Sequence, residues 1–148
     1  MSVRTLCAIG AALLLGVTAS ANAAVSADVP YVPTPWNVVE TMFDMAKVTA
    51  ADHLVDLGSG DGRIVIEAVK KRGARGFGIE LDPHLVTIAK EEAQKQGVAG
   101  RATFAEGNLF TFNLHEASVL TMYLYPQVLI HGQHTGFVQI EGKQVSFN

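Results

Sequence analysis

A glycine-rich turn between an apolar strand and an apolar helix carries the clearest chemical signal in the sequence. The strand ends in an acidic residue, and glycines then alternate with polar residues before Arg63. Glycine lets the backbone turn tightly and lets a ligand approach it closely. Such a turn at the start of an α/β sheet predicts a pocket for a nucleotide or nucleoside. The candidate binding residues in this segment are Asp56, Gly58, Ser59, Gly60 and Asp61.

The spacing of the glycines favours one ligand over others. Dinucleotide-binding turns have the pattern G-x-G-x-x-G, whereas this turn has G-x-G-x-G and Arg63 at the position of the third glycine. This pattern favours S-adenosylmethionine (SAM), whose amino-acid group would lie against the bare backbone of Gly58 and Gly60. Asp56 would accept hydrogen bonds from the ligand's ammonium, directly or through water. An NAD(P)-binding oxidoreductase is the less favoured alternative.

Two further segments are predicted to reach the same pocket. Glu80 ends the second apolar strand, 24 residues after Asp56, and Leu81 follows it. A carboxylate at this position can accept hydrogen bonds from both ribose hydroxyls of an adenosine ligand. After the third strand, the Asn108 side chain can pair with the edge of the adenine, and the Leu109 amide can donate to a ring nitrogen.

Aromatic residues at the end of the fourth strand are candidates for the reacting side of the pocket. Tyr123 and Tyr125 precede Pro126, and aromatic rings can hold a sulfonium by cation–π attraction. Both tyrosines are catalytic candidates, although ordinary strand-end aromatics would have the same pattern. The histidines show no metal-ligand spacing, so no metal site is predicted.

The elements that position these residues alternate along the chain. Helices are predicted at 35–48, 63–72 and 83–96. Thr34 is predicted as the N-cap of the first helix and Asp82 as the N-cap of the third. Strands alternating with helices predict a parallel sheet covered by helices on both faces. Right-handed crossovers then predict the strand order 3-2-1-4. Strands are predicted at 53–57, 76–80, 101–105 and 117–123, followed by a short β-hairpin at 137–147.

Composition and the first residues limit the class of protein. The chain has 148 residues and a net charge of −3, which predicts one domain and no basic surface for nucleic acid. Residues 1–23 combine one early positive charge, a short apolar run and small residues, which is typical of a secretory signal peptide. We therefore expect export to the periplasm, with a membrane anchor at residues 6–19 as the alternative. Residues 24–148 would then form the folded domain.

Residues 30–126 resemble class I SAM-dependent methyltransferases, and more narrowly the small bacterial relatives of the ATP-synthase c-subunit lysine methyltransferases. The resemblance rests on residues 31–34, 55–63, 78–83 and 123–126. It implies SAM as cofactor and methyl transfer to a nitrogen, with a protein lysine as the first expectation and a small amine as the second. In such enzymes the segment containing Tyr31 and Thr34 folds over the SAM pocket, so both are candidates for the substrate side.

The sequence departs from this family in two ways that bear on function. Asn108 stands where the family usually has aspartate, which keeps a hydrogen-bond acceptor but removes a charge. The strand–helix pattern is also incomplete after about residue 126, so a C-terminally truncated or atypical class I fold is expected. A SAM-binding module without turnover is therefore the second functional hypothesis.

Overall fold

The computed structural model describes residues 31–124, 137–140 and 143–146. The predicted signal peptide, Tyr125 and Pro126 lie outside these residues. None of the helices in the described ranges is long and apolar enough to cross a membrane. The elements in chain order are α1 (Trp36–Ala46), β1 (His53–Leu57), α2 (Arg63–Glu67), a π-helical segment (Ala68–Arg72), β2 (Arg75–Glu80), α3 (Pro83–Lys95), β3 (Ala102–Glu106), a 3₁₀ turn (Leu109–Thr111), β4 (Val119–Met122), β5 (Phe137–Ile140) and β6 (Lys143–Ser146).

The strands form a single sheet in the order β3-β2-β1-β4-β5-β6. β1 pairs in parallel with β2 and β4, and β2 pairs in parallel with β3, so the predicted order 3-2-1-4 is confirmed. The hairpin formed by β5 and β6 extends the sheet antiparallel from β4. The strand order reverses beside β1, which is where open parallel sheets bind ligands at the carboxyl ends of their strands.

Alternating apolar residues of the strands divide the core into two layers. On one face of the sheet, Leu54 and Val119 belong to the cluster formed with α1, α2 and α3. On the other face, Val55 and Ile79 form a second cluster, covered by residues of the loop before β4 such as Phe112. The sequence predicts helices on both faces of the sheet, whereas the α-helices that the structure describes all lie on the first face. Within the described residues a 3₁₀ turn and its loop cover the second.

Glycines on the interior strand β2 let the first layer approach the sheet closely. A Cβ added at Gly76 would lie 2.6 Å from Val65 of α2, and one added at Gly78 would lie 2.6 Å from Ser59 and Phe104. Larger side chains on this strand would push α2 and the turn before it away from the sheet. The two glycines therefore help to place that turn directly at the carboxyl ends of β1 and β2.

The ends of the helices confirm one capping prediction and correct another. The Asp82 carboxylate accepts a hydrogen bond from the His84 amide at 2.8 Å, as expected of an N-cap. In α1 the N-cap is Pro35 and no side chain caps the helix, so the prediction of Thr34 as cap is wrong. The predicted helix 63–72 is present, but its second half has π-helical hydrogen bonding.

Candidate functional site

Four segments that are distant in sequence meet at the carboxyl ends of the parallel strands. The amide of Gly60 donates to the Glu80 carboxylate at 2.8 Å, and the amide of Gly107 donates to the Glu80 carbonyl at 2.9 Å. A Cβ added at Gly58 would lie 2.6 Å from the side chain of Leu124, just after β4. The structure therefore brings together the segments to which the sequence assigns one pocket.

The turn formed by residues 58–62, here called the glycine turn, has a left-handed backbone. The φ angles are +74°, +53° and +79° at Gly58, Gly60 and Gly62, values that only glycine adopts without strain. The amides of Gly58 and Ser59 both donate to the Ile79 carbonyl, at 2.9 and 3.0 Å. These bonds attach the turn to the end of β2.

Ser59 lies on the inner side of the glycine turn. Its side chain is buried, and its hydroxyl has no hydrogen-bond partner within the described parts of the chain. A Cβ on Gly78 would lie 2.6 Å from this hydroxyl, so the Ser59 side chain faces the sheet. Any contribution of Ser59 to a ligand at the surface of the turn therefore comes from its backbone.

Glu80 organises the rim of the pocket through three backbone amides. Its carboxylate accepts from Gly60 at 2.8 Å, from Leu81 at 2.7 Å and from Asp82 at 3.1 Å. An ionised carboxylate has about four lone-pair positions, so three of them are already used. If Glu80 accepts both hydroxyls of a ribose, at least one of these amides must give up or share its acceptor.

Asp56 lies one layer below the rim, at the end of β1. The side chain is buried, and the Thr121 hydroxyl of β4 donates to it at 2.7 Å. The pKa of the Asp56 carboxyl is raised to about 7, mainly by burial; the Thr121 hydrogen bond opposes the rise, and repulsion from Glu80 and Asp61 contributes to it. A positive charge on a ligand above the turn would favour ionised Asp56 through space.

Residues 31–36, here called the arm, lie across the glycine turn. A Cβ added at Gly60 would overlap the ring of Tyr31, and the Tyr31 hydroxyl accepts from the Asp61 amide at 3.4 Å. Burial, with a smaller contribution from the charge of Asp61, raises the pKa of Tyr31 to about 12. The hydroxyl is therefore protonated at neutral pH, while Thr34 behind it is buried.

Arg63 connects the glycine turn to the arm, a role that its sequence position does not reveal. It forms an ion pair with Asp61 at 2.7 Å and donates to the Thr34 carbonyl at 3.1 Å. Burial raises the pKa of Asp61, but the hydrogen bonds that Arg63 donates to it, together with the charge of Arg63, lower the pKa overall. In the sequence, Arg63 argues only against a dinucleotide ligand. Its contact with the arm joins residues that are 29 positions apart, and a local sequence pattern does not reveal such a contact.

The remaining candidates line the same end of the sheet. The Asn108 side-chain oxygen accepts from the Phe110 amide at 2.9 Å and starts the 3₁₀ turn, so the amide group performs the capping that an aspartate would perform. Leu109 packs against the second core cluster. Tyr123 is 45% exposed at the end of β4.

Comparison with known proteins agrees with this geometry. The fold and the segments at the strand ends are those of a Rossmann-like methyltransferase domain. Residues 56–134 match the profile described as the ANTKMT methyltransferase domain. The chain belongs to this family.

Individual relatives support the same assignment. The chain is 44% identical over 101 residues to a protein-lysine N-methyltransferase of Saccharolobus islandicus, covering 68% of this chain and 63% of the relative. It is 37% identical over 101 residues to the ATP-synthase c-subunit lysine N-methyltransferase of Homo sapiens, covering 68% of this chain and 42% of that protein. The chain thus spans less than two thirds of the length of either relative.

Solved structures of similar proteins show the same fold. An RNA methyltransferase from Salinibacter ruber, in complex with S-adenosyl-L-homocysteine (SAH), is 52% identical with a TM-score of 0.64, and the match covers 66% of this chain and 63% of that one. A SAM-dependent methyltransferase from Thiobacillus denitrificans, also with SAH, is 26% identical with a TM-score of 0.62, covering 76% of this chain and 45% of that one.

Proposed function

We propose that the chain is a SAM-dependent methyltransferase domain that transfers a methyl group to a protein lysine. The observation that carries the proposal is the meeting of the glycine turn with Glu80 and the 107–109 loop at the strand ends. Membership of the ANTKMT methyltransferase domain family supports it. The names of the archaeal and human relatives support lysine as the acceptor.

The residues of the site fit SAM by charge and by shape. Asp56, Asp61 and Glu80 place carboxylates close enough together for the other two to raise the pKa of Asp56. SAM carries positive charge on its ammonium and its sulfonium, which this group of carboxylates would attract. The backbone at Gly58 and Gly60 has no side chain of its own to exclude a ligand. Glu80 would hold the ribose, and the 107–109 loop would hold the adenine.

The chain's own residues would position the reaction and keep water out. When bound, SAM supplies a methyl group that is activated by its positively charged sulfur. Tyr31 and Tyr123 would line the approach of the acceptor, and an apolar, aromatic path favours the neutral form of a lysine. Tyr31 is a hydrogen-bond donor rather than a base, because its pKa is about 12. Alignment of the acceptor would then supply much of the rate.

Calorimetric titration with SAH tests the cofactor half of the proposal. We expect binding that is lost in Gly58→Arg, because Gly58 has a φ of +74° and Leu124 lies where a side chain would begin. Glu80→Ala should weaken binding through loss of the ribose acceptor. Gly100→Arg is the matched control, since no atom lies within 4 Å of its added Cβ. A folded chain that binds NADH instead of SAH would favour the oxidoreductase alternative.

Methyl transfer from labelled SAM into a lysate of the source cell tests the acceptor. We expect label in protein, recovered as methyl-lysine after acid hydrolysis. Label in RNA would contradict the lysine proposal and would agree with the description of the Salinibacter ruber relative. Label in a small amine would support the second acceptor class. Binding of SAH without any transfer would identify a SAM-binding module without turnover.

A further inference from the structure

We propose that Arg63 is a positioning residue that holds the arm closed over the glycine turn and thereby slows the release of the cofactor. This inference rests on the proposed function, because it assigns to the arm a role in retaining SAM. It concerns the residue that stands at the third glycine position of the motif. The inference is based on a combination of contacts that Arg63 alone makes among the described residues.

The Arg63 guanidinium contacts three different groups at once. Its Nε and Nη2 donate to both carboxylate oxygens of Asp61, at 2.7 to 3.1 Å. Its Nη1 donates to the Thr34 carbonyl at 3.1 Å. The central carbon of the group lies 4.9 Å from the centre of the Trp36 ring. Arg63 thus joins the glycine turn to two residues of the arm.

The chemistry of this site requires an arginine rather than any cation. Arg63 is the first residue of α2, where the helix dipole disfavours positive charge. Only the flat guanidinium can donate two parallel bonds to a carboxylate, donate a third to a carbonyl and stack on an aromatic ring. The side chains of Arg63 and Asp61 are 21% and 26% exposed, so solvent screens their attraction only in part.

The position of Tyr31 explains why the state of the arm matters. Its ring lies against Gly60, where a Cβ would overlap it, so the arm borders the part of the glycine turn where the amino-acid group of SAM would lie. Apart from Arg63, the polar contact between arm and turn is the 3.4 Å hydrogen bond from the Asp61 amide to the Tyr31 hydroxyl. Removing the guanidinium should therefore let the arm open more often.

Fluorescence of Trp36, the only tryptophan in the chain, follows the contact between Arg63 and the arm without ligand. We expect acrylamide to quench Trp36 more strongly in Arg63→Gln and in Arg63→Lys than in the wild type. Lysine keeps the charge but cannot make the three contacts at once. Restoration of wild-type quenching by lysine would overturn the proposal, since charge alone would then suffice.

The dissociation rate of SAH, followed by stopped-flow displacement from the full chain, measures the consequence. Loss of a charge-assisted hydrogen bond predicts roughly tenfold faster release in both variants. Arg72→Gln is the matched control: its guanidinium also pairs with carboxylates, Glu40 and Asp44, and lies over Phe43, but it does not contact the arm. This control should leave both readouts unchanged.

The two experiments separate this inference from the proposed function. Unchanged quenching in the Arg63 variants, or increased quenching with an unchanged release rate, would overturn the role of Arg63. A wild-type chain that binds no SAH would overturn the proposed function and, with it, the link to cofactor release. The quenching comparison would then still decide whether Arg63 holds the arm.

Discussion

Replacing Asp56 by asparagine should flatten the dependence of stability on pH between about pH 5 and 7. The Asp56 carboxyl has a pKa of about 7 in the folded chain and 3.8 as its ordinary value. In this range the folded state binds a proton that the unfolded state has already released. The free energy of unfolding therefore falls as pH rises, and the Asp56 contribution is fully present only below the ordinary pKa.

The size of the effect follows from the two pKa values. Each unit of difference corresponds to about 1.4 kcal/mol, so the rise from 3.8 to about 7 gives a total of about 4 kcal/mol. Two other carboxyls, those of Asp52 and Asp61, act outside this range. The pKa values of Asp52 and Asp61 are lowered in the folded chain, so their contributions are lost only at more acidic pH.

Urea unfolding at pH 5, 6, 7 and 8, followed by circular dichroism, would measure this slope. The wild type should lose on the order of 1 kcal/mol per pH unit up to about pH 7, and Asp56→Asn should lose little. Asp52→Asn is the control, because Asp52 is hydrogen-bonded to Thr49 and Ser118 rather than to the site. If Asp56→Asn keeps the wild-type slope, Asp56 is not the titrating group.

The raised pKa of Asp56 also predicts that binding of the cofactor releases a proton. Positive charge above the glycine turn lowers the pKa of Asp56, so binding of SAM near pH 7 should be accompanied by loss of its proton. Calorimetry in buffers of different ionisation enthalpy would detect that proton. Asp56→Asn should release none, whereas equal release by both proteins would refute this coupling.

Two further predictions concern stability and processing. Gly62→Ala should destabilise the chain by about 3 kcal/mol, because a left-handed backbone is combined with a Cβ only 2.6 Å from Phe104. Gly97→Ala is the control and should cost only about 1 kcal/mol, because Gly97 has a similar φ of +72° but open space around it. Similar melting temperatures for the two variants would contradict the packing explanation. Expression of residues 1–148 in a Sec-competent bacterium should give a periplasmic protein cleaved after Ala21 or Ala23, and an uncleaved mass in the cytosol would exclude the signal peptide.

The order of the sheet could be predicted because local patterns determine it. Each parallel strand is a short, mostly apolar run, and the first three are followed by a glycine or by a helix cap such as Asp82. Right-handed crossovers then leave β1 between β2 and β4. Asp56 and Glu80 could be placed at neighbouring strand ends for the same reason, because the ends of parallel strands meet at one edge.

What could not be predicted depends on contacts between distant residues. Thr34 has the pattern of an N-cap, but its carbonyl accepts from Arg63, and α1 begins after Pro35. The burial of Asp56 also depends on β4, because Thr121 of this neighbouring strand donates to its carboxylate. Neither the cap pattern nor the glycine spacing contains information about these partners.

The hydrogen bond between Asp56 and Thr121 has a consequence for the order of folding. β1 and β2 are joined by the glycine turn, α2 and its π-helical extension, whereas Thr121 lies 65 residues after Asp56. Closing a longer loop costs more chain entropy, and contacts between distant residues slow folding. We therefore expect the glycine turn to form early with β1 and β2, before β4 docks. Asp56 would become buried beneath the pocket only when β4 docks, in a late step of folding.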